Sequence, residues 1–377
     1  MSILWLDDLT SWKQWVVGQN FTPALRVVPS DLQAMKSSGA YTEKSITPER
    51  KQTMTTQVLR QRQPPDFSDP TLWKHLTSCP LCGASVFRNL PLARDWHYGN
   101  PGLFQIVECE SCRLNFLNPM PTLECLATAY PQDYYAYEAP TVINPSSASR
   151  LHRTIRRLLL YSPEQLKYPA TQPGILLDIG CGSGAFLAEV KSRGWDAKGV
   201  ELDANAALRG REAGLDIFSG TIDAAHYPSS SFDYVRSRHS FEHIHNSREV
   251  LREIRRIIKP GGTLLIEVPN VAGLAARIFG RYWWYLCPPV HTFGYSPATL
   301  SRLLAQEGFQ VETVQYNSTY AGLVGSLQIY LNRNNGKSPE KGWVIENRAA
   351  KVAGYRVARL TDTFRCGDVM EVTARPV

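Results

Sequence analysis

Three groups of residues in this sequence have the types and spacing to do chemistry. The stretch LLDIGCGSGAFL, residues 176–187, carries an apolar run into a loop holding Gly180, Gly182 and Gly184. Glycines let a backbone approach a ligand closely. Asp178 stands two residues before that loop, and Glu201 about 20 residues after it. The second group is CPLCG and CESCR, which contribute Cys79, Cys82, Cys109 and Cys112. The third is HSFEHIHN, residues 239–246, with His291 further along.

The glycine loop has three readings. A P-loop requires GxxxxGK[ST], and no Lys follows these glycines, so that reading fails. A dinucleotide fingerprint is matched by Gly180, Gly182 and Ala185, with Glu201 at the expected distance. The third reading uses more of the residues. Asp178 supplies a negative charge for an ammonium, directly or through water. Glu201 has two oxygens and accepts from both hydroxyls of a ribose. A ligand with an ammonium, a carboxylate and a ribose, and no pyrophosphate, is S-adenosylmethionine.

Four thiolates in two CxxC turns suit one tetrahedral Zn2+ with no open position, hence a structural ion. Pro80 and Gly83 suit the first tight turn, and the long spacing, residues 83–108, is tolerable in a loop between knuckles. Redox or unrelated cysteines are the alternative. His239, Glu242 and His243 fall at i, i+3 and i+4, so a helical turn would place them on one face. They could serve an acceptor, or Glu242 and His243 could simply orient the loop by hydrogen bonds. In GRYWWYLCPPVHTFGY, residues 280–295, Tyr282, Trp283, Trp284 and Tyr285 could wall an acceptor or fill the core. His291 is the best single candidate for a base or for positioning the acceptor; a hydrogen-bonded strut is the alternative.

The elements that must hold these groups alternate from residue 170 onward. GILLDIG, DAKGVELD, LDIFSG, FDYVRSR and GTLLIEVPN read as five strands. Helical stretches lie between them, among them SREVLREIRRII with an apolar stripe of Val250, Leu251, Ile254, Ile257 and Ile258. KPGG reads as the stop of that helix. Alternation at this spacing predicts an α/β fold with a parallel sheet covered on both faces. Four segments are expected. They are a polar N-terminal extension over 1–75 carrying Trp5, Trp12 and Trp15, a cysteine module over 76–138, a linker over 139–170 and the α/β domain over 171–377. The linker contains RLHRTIRRLLLY, read as an amphipathic helix whose arginines either face water or form a basic acceptor-binding face.

Composition sets bounds. Lys and Arg number 41 against 34 Asp and Glu, a formal charge of +7, which mildly favours an anionic partner such as a nucleotide sugar, a carboxylate or RNA. No run reaches the roughly 18 apolar residues of a membrane span. The opening MSILWLDDLT has acids where a secretory signal would be basic, so a cytoplasmic location is expected.

LDIGCGSG, VELD, FDYV and KPGGTLLIEVPN, in this order and spacing, resemble the motifs of class I S-adenosylmethionine-dependent methyltransferases. The resemblance implies a Rossmann-like seven-stranded sheet whose last strand is antiparallel. It implies a cofactor site of Asp178, Gly180, Cys181, Gly182, Ser183, Gly184, Glu201, Leu202, Thr221 and Ile222. Thr221 stands where many relatives carry an Asp for the adenine amino group. Ubiquinone-pathway O-methyltransferases hold a divalent metal at the positions of His239, Glu242 and His243, but with acids at the first two; magnesium prefers oxygen ligands, which His239 does not supply. With CPLCG, the second CxxC, LNPMPTLECLATAYPQDYY and the closing RLTDTFRCGDVMEVTARPV, the similarity to bacterial zinc-ribbon methyltransferases extends over residues 76–377. The acceptor it implies is a small molecule or sugar derivative, methylated at oxygen or carbon. The His-Ile-Pro motif of sugar C-methyltransferases is not found. A zinc-ribbon rRNA or tRNA methyltransferase and a non-catalytic scaffold are the competing expectations. A nicotinamide dehydrogenase leaves FDYV, HSFEHI and KPGG without an account. The acceptor atom and the oligomeric state are not set by the sequence.

Overall fold

The computed structural model describes residues 67, 69–130, 169, 172–334 and 341–377. The expected helix over 150–161, most of the linker and the N-terminal tryptophans lie outside the described residues.

The first described elements form the cysteine module. Strand β1 (Trp73–Lys74) pairs antiparallel with β5 (Met120–Pro121), and β2 (Phe87–Asn89), β3 (Ile106–Cys109) and β4 (Asn115–Leu117) build a small antiparallel sheet. Helix α1 (Leu123–Ala129) follows, its first turn capped by the Thr122 hydroxyl, which accepts from the Cys125 amide. This module is not a separate bead. Its sheet takes a fourth strand, β11 (Phe293–Gly294), from the far side of the chain, giving the order β11-β4-β3-β2. Cys79, Leu81, Val107, Cys109, Phe116 and Met120 share one apolar core with the strands that follow.

The main sheet begins at β6 (Ile175–Ile179), followed by α2 (Ala185–Lys191), β7 (Asp196–Glu201), α3 (Ala204–Glu212), β8 (Asp216–Ser219) and β9 (Phe232–Arg238). Next come α4 (Ser247–Ile257), β10 (Ile258–Pro269), α5 (Leu274–Phe279), β11, α6 (Pro297–Gln306) and β12 (Phe309–Tyr316). The chain closes with α7 (Ser326–Asn332), α8 (Trp343–Glu346), α9 (Arg348–Thr363) and β13 (Val369–Pro376). The sheet has seven strands in the order β12-β13-β10-β9-β6-β7-β8. The β6–β7, β7–β8, β6–β9 and β9–β10 pairs are parallel, and β13 runs antiparallel to both neighbours. This is the methyltransferase variant of the Rossmann-like α/β fold, as the motif order implied. After β6 the chain first builds outward through β7 and β8, then returns to lay β9 on the other side. That reversal opens a crevice at the carboxyl ends of β6 and β9, where ligands of such sheets bind.

KPGG differs from its sequence reading. It lies inside β10 as an irregularity between Ile258 and Thr263, and Ile258 is the first residue of the strand rather than the last of the helical stripe. The glycines still provide the local turn, Gly261 having φ of 77°. The closing resemblance segment likewise splits, Arg359–Thr363 ending α9 and only Val369–Pro376 forming the strand.

Candidate functional site

Gly180, Gly182 and Gly184 all have left-handed φ, at 73°, 56° and 87°. Side chains rarely adopt that region, so the loop needs this residue at each position. Contact enforces two of them as well. A Cβ at Gly180 would lie 2.4 Å from the Ser240 Cβ, and one at Gly184 2.5 Å from the Leu215 Cδ1. The amides of Gly180 and Cys181 are spent on the Val200 carbonyl, at 2.8 and 3.3 Å, which fastens the loop to β7.

Glu201 stands at the end of β7. One of its oxygens accepts from the Gly182 amide and the other from the Asp203 amide, each at 2.8 Å. These bonds aim the carboxylate across the loop and leave each oxygen a second lone pair. Burial raises the Glu201 carboxyl, and the amides of Asp203 and Gly182 oppose that shift. Leu202 is exposed beside it, Thr221 is exposed, and the Ile222 side chain is buried in the core. Ser183 is buried. The Cys181 thiol is raised well above its usual value by burial and by the charges of Asp178 and Glu201. Geometry therefore brings the expected glycine loop and Glu201 together at the crevice.

Asp178 is placed differently from a free charge awaiting an ammonium. Its two oxygens accept from Nη1 of Arg236 at 3.0 and 2.9 Å, both residues being buried. The Arg236 guanidinium also lies over the Phe186 ring, 3.7 Å from its centroid. Arg236 was not among the sequence candidates, although a charge inside the apolar run of FDYVRSR is the signal that could have found it.

Beyond β9 the second cluster forms. Ser240 bonds the Ile179 carbonyl at 2.7 Å and so ties this segment to the glycine loop. Only Phe241–His243 makes a helical turn, and it is a 3-10 turn. His239 precedes it with φ of 49° and so leaves the shared face that the i, i+3, i+4 spacing predicted. Its Nε2 lies 3.3 Å from Glu267 and its Nδ1 3.7 Å from Glu242. Burial lowers the imidazole, but the two carboxylates outweigh it and lift His239 to about 9. Glu267, in β10, also takes Arg238 and the Asn317 amide. Burial raises its carboxyl, yet His239 and Arg238 hold it well below the usual range.

Glu242 is 1% exposed, and neither of its carboxylate oxygens has a hydrogen-bond partner. Against the cost of burial, the surrounding imidazoles bring it down to about 2. His243 and His291 complete the group. The His291 Nδ1 donates to the Tyr285 carbonyl at 2.8 Å, and its Nε2 lies 3.9 Å from Glu242. The His243 Nδ1 donates to the Val290 carbonyl at 2.6 Å, with the Tyr130 hydroxyl 3.0 Å away. Burial and the neighbouring imidazoles push His291 down to about 3. His291 thus joins Glu242 and His243 from 48 positions further along the chain, while His239 turns to Glu267.

Within the aromatic stretch Trp283 is buried, and Tyr282, Trp284 and Tyr285 are half-buried. Tyr285 bonds Thr319 at 2.9 Å, and the Trp284 carbonyl takes His97 at 2.7 Å. His97 and Tyr130 belong to the cysteine-module segment, which through Tyr130 reaches His243.

The four module cysteines converge. The Sγ atoms of Cys79 and Cys112 are 3.6 Å apart and those of Cys82 and Cys109 3.5 Å, with all four within 4.8 Å of one another. Zinc–sulfur bonds of about 2.3 Å put tetrahedral sulfurs about 3.8 Å apart, so this set fits the ion. The two turns are alike. Gly83 and Arg113 each follow the second cysteine with φ of 77° and 67°, and their amides return to the Cys79 and Cys109 carbonyls. Burial raises Cys79 and Cys112, whereas the Cys112 and Ser111 amides bring Cys109 down to about 7 against the effect of burial.

Residues 147–314 match a family model described as a methyltransferase domain. The chain is 31% identical over 142 residues to ajmaline N-methyltransferase of Rauvolfia serpentina, covering 35% of this chain and 48% of that protein. It is 26% identical over 170 residues to the ubiquinone biosynthesis O-methyltransferase of Xanthomonas euvesicatoria pv. vesicatoria, covering 41% and 71%. The demethylmenaquinone methyltransferase of Listeria welshimeri is 28% identical over 139 residues, covering 33% and 58%. The chain thus spans about half the length of the first of these relatives and less than two thirds of the third. Among solved structures, a methyltransferase from Mesorhizobium loti aligns at a TM-score of 0.39 and 19% identity, over 55% of this chain and 93% of that one. Residues 147–314 thus match a methyltransferase domain, and the seven-stranded sheet has the Rossmann-like α/β topology of that fold.

Proposed function

We propose that the protein transfers a methyl group from S-adenosylmethionine to a small-molecule acceptor, a sugar derivative or secondary metabolite, at oxygen or carbon. The observation that carries this reading is Glu201, aimed by two backbone amides across a loop of three left-handed glycines at the switch point of the sheet. The residues that would hold the cofactor are Glu201 for the ribose hydroxyls, the loop from Gly180 to Gly184 for the amino-acid end, and Leu202, Thr221 and Ile222 around the adenine. Asp178 acts on that end through its pair with Arg236 rather than as an isolated charge. When bound, S-adenosylmethionine supplies an electrophilic methyl carbon on a sulfonium.

What remains for the protein is to align an acceptor and manage its proton. Glu242, His243 and His291 are the groups set for that task, since Ser240 ties their segment to the glycine loop. The relatives named for ajmaline, ubiquinone biosynthesis and demethylmenaquinone support a small-molecule acceptor. A structural Zn2+ on Cys79, Cys82, Cys109 and Cys112 is part of the same proposal. In the module, Arg88 and Arg113 share Glu108 at 2.9 and 2.5 Å, so they form no isolated basic patch for an RNA acceptor. An open groove lined by Arg252, Arg255 and Arg256 lies at the other end of the sheet, and these guanidiniums are engaged by Glu307, the Val377 carbonyl and Glu253.

The reading is tested by incubating the full chain with labelled S-adenosylmethionine and an extract of small metabolites, and following label transfer by mass spectrometry. Label in a low-mass product that disappears with Glu201→Ala supports it. Label confined to added RNA would replace it with the nucleic-acid alternative.

A further inference from the structure

From Glu242, His243 and His291 we infer a second metal site, one that takes a divalent first-row transition ion, zinc foremost. A carboxylate buried with both oxygens unpartnered is costly unless something cationic completes it, and Glu242 is in that position. His239, shared with Glu267 at 3.3 Å, stands 3.7 Å from Glu242, and the nearest His291 nitrogen 3.9 Å away; both are beyond hydrogen-bond length, so neither caps a Glu242 oxygen. A backbone carbonyl only accepts, so the Nδ1 atoms of His243 and His291 both carry their protons, facing Val290 and Tyr285. That leaves Nε2 of each ring with its lone pair. A histidine whose Nδ1–H is fixed by a carbonyl while Nε2 is bare is the arrangement that metal-binding histidines adopt.

One donor atom from each of the three residues lies within 4.8 Å of the others. Nitrogen and oxygen ligands around zinc, with bonds of about 2.1 Å, stand about 3.4 Å apart in a tetrahedron, so side-chain shifts of up to about 1.4 Å close the set. Two imidazoles and one carboxylate select zinc, cobalt or iron over magnesium, which favours an all-oxygen shell. The ligand set also departs from the trio implied by ubiquinone-pathway resemblance. His239 is engaged by Glu267, and His291 takes its place from a loop after β10. Three protein ligands leave a tetrahedral ion one position open, the pattern of a catalytic rather than a structural site. Under the methyltransferase reading, an acceptor oxygen would occupy that position and lose its proton more easily. Ion binding itself does not depend on that reading.

The test is metal stoichiometry of the full chain, stripped and reloaded with Zn2+, alongside S-adenosylhomocysteine titration. Wild type should hold one equivalent more than His291→Ala and than the isosteric Glu242→Gln, with affinity at the second site at least about 100-fold weaker in both. The cysteine-held equivalent and an unchanged melting curve report an intact fold. Reloading with Co2+ provides a variant-free measurement. The second equivalent should add visible absorption without a thiolate-to-cobalt band. Equal stoichiometry in wild type and both variants, or a wild type whose every bound Co2+ shows thiolate bands, would overturn the site. Homocysteine-nucleoside binding is read separately, so its loss would count against the methyltransferase reading and not against the metal.

Discussion

At the scale of single residues, Glu201 and Arg236 do different work although both are charged groups beside the glycine loop. Glu201 offers lone pairs outward, and hydrogen bonds to a charged acceptor contribute about 1.5–3 kcal/mol each. Glu201→Gln should therefore weaken S-adenosylhomocysteine binding by about 10-fold or more in calorimetry, and should lower the melting temperature modestly, because its amide nitrogen cannot accept from one of the Gly182 and Asp203 amides. Arg236 faces inward to Asp178 and Phe186. Removing one partner of a buried pair leaves an uncompensated charge and costs about 3–5 kcal/mol. Arg236→Met should lower the urea midpoint accordingly; an unchanged midpoint would show that the pair contributes little. Residue types made the first of these legible, since a carboxylate about 20 positions beyond a glycine loop has few other uses. The Asp178–Arg236 pair was not legible. It depends on the register of β6 against β9, which brings positions 178 and 236 side by side, and no local pattern encodes that register.

Elements explain where the reading along the chain succeeded and where it slipped. Strands β6 to β9 followed from apolar runs and the stripe on α4 from its periodicity, because both record burial directly. The His239–Glu242–His243 face did not survive, since the left-handed backbone at His239 interrupts the turn before it can form. KPGG was taken into β10 because parallel pairing with β9 resumes after an irregularity that propensity alone does not foresee. The contact between β13 and α5 offers a pH test. Asp368, just before β13, accepts from the Ala275 amide at 3.2 Å, and burial lifts its carboxyl to about 6. A raised carboxyl holds its proton longer in the folded state than in the unfolded one. Its contribution is therefore full below about pH 4 and lost as pH rises through 6, up to about 3 kcal/mol. Asp368→Asn keeps an acceptor for Ala275 without the charge. Its melting temperature relative to wild type should rise between pH 4 and pH 7; a constant difference would contradict the shift.

Across the described residues, the cysteine module and the seven-stranded α/β domain are joined at the place where chemistry is proposed. Strand β4 pairs with β11, and Leu117 bonds the Thr292 carbonyl at 3.0 Å, one residue after His291. Thr292 in turn bonds the Glu242 carbonyl through its amide and hydroxyl, at 3.1 and 3.0 Å. Arg248 of α4 reaches the Pro80 and Leu81 carbonyls inside the first knuckle, at 3.0 and 2.6 Å. Disrupting the cysteine cluster should therefore disturb the acceptor side more than the cofactor side. With Cys82→Ser, S-adenosylhomocysteine affinity is expected within about threefold of wild type, while methyl transfer falls by about 10-fold or more. Equal loss of both would mean that the module supports only global folding. None of this coupling was visible in the sequence, where the knuckles and His291 are far apart and only long-range strand pairing joins them.

Cofactor binding is the central property, and calorimetric titration of the full chain with S-adenosylhomocysteine tests it most directly. One molecule bound per chain in the micromolar range, abolished or strongly weakened in Glu201→Gln and not reproduced by a nicotinamide dinucleotide, is the predicted result. Saturable binding of the dinucleotide, with no heat from S-adenosylhomocysteine at millimolar concentration, would contradict it.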